Sequence, residues 1–217
     1  MMENAVTTLS DNEIVHAILA GDKNMFELLI RKYNSRMYRV GMSIVKDKDE
    51  VEDLMQNSYI KAYQNLAKFE MRASFGTWVI RIMVNECLAH QKKSRRKMET
   101  ALDNVSVMEN QTSIRRQGLK TPMQMVLNKE LAAMLEDSLL ALPEKYRVVF
   151  VMREVEGMSV NETIEALAIT ESNVKVRLNR AKTMLRKNLS GYYKNDLVFN
   201  FHLSRCDRIV AKVLAAI

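Results

Sequence analysis

Glycine and proline are scarce in this chain, 6 and 2 among 217 residues. With so few breakers and little β-branched alternation, tight-turned sheet folds are excluded, and long helices with short connections follow. The fold class expected is therefore all-α. Cysteine is nearly absent too: Cys87 and Cys206 lie far apart in sequence, which fits reduced thiols better than a disulfide framework. No apolar run is long enough to cross a bilayer, and Met1 to Asp11 lacks the basic start and apolar core of a signal peptide. A soluble, cytoplasmic protein without membrane insertion is expected.

What is present is a hydrophobic fraction of 47%, enough to bury the core of one domain or of two small ones. Lys and Arg number 33 against 26 Asp and Glu, a formal net charge of +7. Such an excess suits a polyanionic partner, although basicity alone does not separate nucleic acid from an anionic membrane.

Helix starts are well marked. Ser10 with Glu13 forms a capping box ahead of Ile14, Ala17 and Ile18. Phe26, Leu29, Ile30, Tyr33, Met37 and Val40 then recur at three- and four-residue steps, one buried stripe of a second helix. A third helix over about 49–66 keeps Val51, Leu54, Met55, Tyr59 and Ala62 on one face, and its start is crowded with Asp47, Asp49, Glu50, Glu52 and Asp53. Those acids sit where the positive end of the helix dipole favours them. Ser74 caps a fourth helix with Phe75, Val79, Met83 and Cys87 inward and Thr77, Arg81, Asn85 and Lys92 on another face. It runs into the cationic stretch from Gln91 to Lys97.

Periodicity fades over 98–120, which marks a flexible linker between two small helical domains, 1–97 and 121–190, followed by an extension, 191–217. The second domain opens on Thr121, Pro122 and Gln124, a cap, a first-turn proline and the end of a box. Pro143 and Glu144 start another helix. Ser159 with Glu162 caps a short helix, and Thr170 caps a longer one after the turn at Ala168 and Ile169. That order reads as helix-turn-helix.

Three surfaces carry chemistry. On the last helix, Lys175, Arg177, Arg180, Lys182, Arg186 and Lys187 face the single acid Glu171, and a major groove admits such a helix while its phosphates favour the flanking cations. Ser172, Asn173, Val176 and Asn179 would reach base edges. A second set, Phe69, Phe75 and Trp78 beside Arg81, Asn85 and the basic run, suits unpaired bases stacked on aromatic faces; Phe75 reads better as core. The acids that open the third helix would repel phosphate and suit a protein partner. His16 and His90 have no plausible nucleophile partner, and His202 with Cys206 offers two ligands where a structural zinc needs four. No metal, cofactor or catalytic residue is expected.

Taken together, the motifs resemble the sigma-70 family of bacterial promoter-recognition subunits, in its extracytoplasmic-function (ECF) group. The segment Asp49 to Tyr63 is similar to the region 2 helix that docks on the β′ clamp helices of RNA polymerase, which implies contacts by Asp49, Glu50, Asp53, Leu54, Gln56, Asn57 and Tyr59. Phe75 to Asn85 resembles the segment that meets the −10 element, implying Phe69, Thr77, Trp78, Arg81, Asn85, Lys92, Arg95 and Arg96. Leu142 to Arg147 and Val174 to Ala181 resemble region 4, which binds the β flap and reads the −35 element, implying Ser172, Asn173, Lys175, Val176, Arg177, Asn179 and Arg180. The resemblance spans residues 10 to 189 and implies core polymerase, promoter DNA and, in many members, an anti-sigma factor as partners. It departs at Ala168, where the family often has glycine, and in the extension beyond Ser190. Two other classes remain open on the residues alone: a helix-turn-helix regulator acting without polymerase, and an all-helical adaptor with solvated basic faces.

Overall fold

The computed structural model describes residues 9–102 and 132–190, and all regular structure within them is helical. The expected start of the second domain at Thr121, Pro122 and Gln124 and the extension with His202 and Cys206 lie outside the described residues. Among the described residues, no helix is long and apolar enough to cross a membrane.

Local signals set the helix starts. The Ser10 and Glu13 box opens α1 (Asp11–Leu19), with the Ser10 N–H donating to Glu13 at 2.7 Å. α2 (Phe26–Ile44) buries Leu29, Tyr33, Met37 and Val40, one stripe at helical spacing. Asp47 caps α3 (Lys48–Gln64), which turns Val51, Leu54, Ser58 and Ala62 inward. α4 (Phe75–Leu102) continues to Leu102 and buries Phe75, Val79, Met83 and Cys87. α1 to α4 pack on one another around these stripes. Gly41 allows a close approach, since a Cβ there would stand 2.5 Å from Met83 Cε and 2.8 Å from Val51 Cγ1.

The second half comprises α5 (described over 132–140), α6 (Glu144–Phe150), α7 (Val160–Leu167) and α8 (Glu171–Ser190). α6 ends in a π turn, Val151–Val155, where the Glu156 N–H reaches back to the Val151 carbonyl at 2.9 Å. Gly157, at φ +64, reverses the chain towards α7. The halves share one apolar core, for Val148, Val149, Met152, Met158, Ala166 and Val174 join the residues buried between α1 and α4. A smaller cluster of Leu142, Tyr146 and Ala181 holds α8 on α6.

Between α7 and α8 the turn residue Ala168 takes the left-handed conformation, φ 51 and ψ 46. Its Cβ strains a position suited to glycine. Replacing Ala168 by Gly is expected to stabilise the fold by about 1 kcal/mol, and Ala168→Val to destabilise it by more. Equilibrium urea unfolding of the three proteins checks the order; a less stable glycine variant refutes it.

Candidate nucleic-acid and protein interfaces

The acidic surface forms because α3 begins in carboxylates. Asp47 accepts the Glu50 N–H at 3.0 Å, and Asp49 and Glu50 fill the first turn, where the helix dipole stabilises them. Asp49, Glu50, Asp53, Gln56 and Asn57 are all exposed on one side of α3. Leu54 and Tyr59, expected at the same surface, are instead in the core at 8% and 6% exposure. They fall on the inward stripe with Val51 and Ala62, so helical phase alone turns them away from a partner. Tyr59 donates to the Ile30 carbonyl at 3.3 Å and meets Phe26 edge-on. One residue on, Ile60 is 55% exposed above a groove shared with Ile30 and Tyr63. The acids therefore border apolar surface, a pairing suited to a protein interface.

On α4, Ser74 accepts the Thr77 N–H at 3.1 Å and sets the helix start. Arg81, Asn85, Leu88, Lys92 and Arg95 are exposed at three- and four-residue steps, a stripe about 21 Å long. Phe75 is fully buried, while Trp78 is half-buried and stacks at 5.0 Å on Phe69, itself in the core. Thr77 does not share the exposed stripe. It is 2% exposed, and its hydroxyl donates to Glu162 of α7 at 3.0 Å.

α8 turns Val174 and Ala181 inward and leaves Ser172, Asn173, Lys175, Val176, Asn179 and Arg180 outside, with Arg177 half-buried. Several of these already have partners. The Asn173 amide donates to Thr170 at 3.0 Å, Lys175 pairs with Glu171 at 2.6 Å, and Arg180 donates to the Tyr146 hydroxyl at 3.2 Å. The last bond chiefly lowers the Tyr146 pKa and aims Arg180 along α6.

Contacts between the halves have no local signature in the sequence. Arg147, 2% exposed, donates to the Ser43 carbonyl of α2 at 2.6 Å and to the carbonyls of Leu140 and Leu142 at 3.0 and 2.9 Å. Gln91 bridges the Ile44 carbonyl and Glu144 at 3.0 and 2.8 Å. Arg36 and Arg39 of α2 clasp the Glu156 side chain, which is 3% exposed. Arg36 also donates to the Glu156 carbonyl at 2.6 Å.

An all-helical scaffold with basic outer faces on α4 and on the second helix of a helix-turn-helix fits nucleic-acid binding. Comparison with known proteins agrees. A model of sigma-70 region 2 matches residues 29–97, and one of sigma-70 region 4 matches residues 132–185. The RNA polymerase sigma-H factor of Pseudomonas aeruginosa is 27% identical over 187 residues, covering 85% of this chain and 96% of that protein. The ECF RNA polymerase sigma factor SigW of Bacillus subtilis is 28% identical over 177 residues, covering 81% and 94%. The fold is shared with the sigma factor RpoE of Bartonella quintana, solved with the anti-sigma factor NepR, at a TM-score of 0.62 and 19% identity over 76% of this chain and 96% of that one. CnrH, solved with the cytosolic domain of CnrY, gives 0.58 at 21% over 83% and 97%. The chain belongs to the sigma-70 family of RNA polymerase sigma factors, in its ECF group.

Glu162 ties the α7 cap to α4. The Ser159 N–H donates to it at 2.7 Å and, with the Ser159 and Thr77 hydroxyls, holds its carboxyl below the ordinary range against the upward push of partial burial. A depressed folded pKa adds stability at neutral pH that is lost as pH falls through the depressed value. Glu162→Gln is accordingly expected to lower the melting midpoint by about 2–4 °C at neutral pH. The gap from the native chain should close on acidification through and below the ordinary carboxylate range. A gap independent of pH in calorimetric scans would refute the assignment.

Proposed function

We propose that this chain recruits core RNA polymerase to promoters and takes no part in the chemistry of transcript synthesis. The exposed acids Asp49, Glu50 and Asp53, with Gln56 and Asn57, grip the β′ clamp helices. The Arg81 to Arg96 stripe of α4, with Trp78 and Phe69 behind it, captures the −10 element as its strands part. α8 lies in the major groove of the −35 element, with Ser172, Asn173, Val176 and Asn179 towards base edges and Lys175, Arg177 and Arg180 towards phosphate or guanine. The second half also meets the β flap, and an anti-sigma factor is a further partner.

The observation that carries this reading is the division of sign along one helical scaffold. Acids gather on the outer face of α3, and cations gather on the outer faces of α4 and α8. Phosphate is repelled by the first and drawn to the others. The relatives named as RNA polymerase sigma factors support the assignment of the protein partner.

Asp53→Lys is expected to weaken capture of core polymerase by about tenfold or more while the circular dichroism melt stays unchanged, because the residue is exposed. Equal retention of both proteins on immobilised polymerase would sink the α3 assignment. Arg180→Ala should cut run-off transcription from a −35-dependent promoter by about tenfold, the scale of one good base or phosphate contact. Undiminished transcript would remove α8 from the −35 element.

A further inference from the structure

α8 carries one residue that neither helix propensity nor packing accounts for. Val176 is 45% exposed and, among the described residues, joins neither apolar cluster. Its neighbours one turn away on the helix surface are Ser172, Asn173, Asn179 and Arg180, all exposed and polar, so no apolar side chain of α8 covers it. A β-branched side chain also suits a solvated helix less well than alanine, leucine or lysine. A residue that costs locally and gains nothing in the folded chain marks a place where a partner is met.

The polar groups around Val176 are turned elsewhere. Lys175 pairs with Glu171 at 2.6 Å, one turn back along α8. The Asn173 amide donates to Thr170 at 3.0 Å, and Arg180 donates to the Tyr146 hydroxyl of α6 at 3.2 Å. The two methyls of Val176 therefore stand open within the first two turns of α8, the part of a recognition helix that reaches base edges in the major groove. On those edges guanine offers two acceptors, cytosine a donor and adenine one of each. Thymine alone presents an apolar group, its C5-methyl, beside O4. A valine set against any of the first three strips water from a polar edge and returns no hydrogen bond. Against thymine it buries methyl on methyl.

We propose, on the footing that α8 reads the −35 element, that Val176 is a specificity-determining residue packed on the C5-methyl of one thymine in that element. The contact involves no charge, so it sets preference among sequences and leaves the phosphate-driven part of the affinity to the lysines and arginines around it.

Holoenzyme assembled from core polymerase and the full-length chain provides the test. Promoter fragments randomised over the −35 element are selected on the native holoenzyme. Each thymine of the selected element is then replaced in turn by deoxyuridine, which lacks only the 5-methyl. At one position the replacement is expected to weaken binding by about fourfold, the worth of one buried methyl. Val176 is exposed, so its substitution leaves the fold intact. Val176→Ser should bring the thymine and deoxyuridine fragments to equal affinity at that position, and Val176→Ile should keep them apart. Selection of an element without thymine, deoxyuridine tolerated at every position, or a thymine preference that survives Val176→Ser each overturns the contact while leaving α8 on the −35 element. Binding by the native holoenzyme that is indifferent to every change in the −35 element removes α8 from it, and the Val176 contact falls with that placement.

Discussion

A guanidinium removed from water has to find acceptors around it, and Arg147 of α6 finds them on two other segments at once. Its donors close the carbonyls of Leu140 and Leu142 at the end of α5 and the Ser43 carbonyl near the end of α2. Burial pushes its pKa down, with nearby Glu144 pulling the other way, yet arginine starts so high that the charge persists. Loss of this side chain would strand three acceptors. The positions of α5, α6 and α2 relative to one another follow from that single residue, and α8 inherits its place through Tyr146 and Ala181 on the neighbouring face of α6.

Charge of one sign is kept apart from charge of the other by helical geometry rather than by domain boundaries. α3 presents its acids at the N-terminal end, where its own dipole lowers their mutual repulsion, and pairs Lys61 with Glu86 across to α4 at 2.6 Å. α4 carries its cations in its second half, beyond Arg81, on the side away from the buried Met83 and Cys87. A net charge of +7 therefore understates the contrast between the faces, which is what steers one partner to each.

Much of this was legible in the sequence wherever one short segment held the whole signal. Both capping boxes, Ser10 with Glu13 and Ser159 with Glu162, formed as their spacing implied, and the apolar stripes of α2 and α4 matched their phase. Ala168 was visible as an oddity and proved to be a left-handed turn built without glycine. What failed to show were properties of pairs far apart in the chain. Thr77 shares a helical face with Arg81 by count, but α7, arriving 85 residues later, covers it. Leu54 and Tyr59 were a different case, for the periodicity already set them on the inward face with Val51 and Ala62, and it was the resemblance that placed them at the partner surface. Arg36, Arg39 and Glu156 each look like ordinary surface charges, and nothing local distinguishes them from Arg31 and Glu27, an exposed pair one turn apart on the same α2.

The contact between halves mixes two kinds of surface with different consequences for its reversal. Val148, Met152, Met158 and Ala166 bury apolar area against the first half, which favours closure without directing it. The Glu156 clasp and the Arg147 contacts add direction, because charged groups tolerate burial only in one register, although their desolvation offsets most of the Coulomb attraction. A contact made of apolar area alone would close in many registers. One made of ion pairs alone would contribute too little to hold. Joined, they set one register for the packing of the second half on the first.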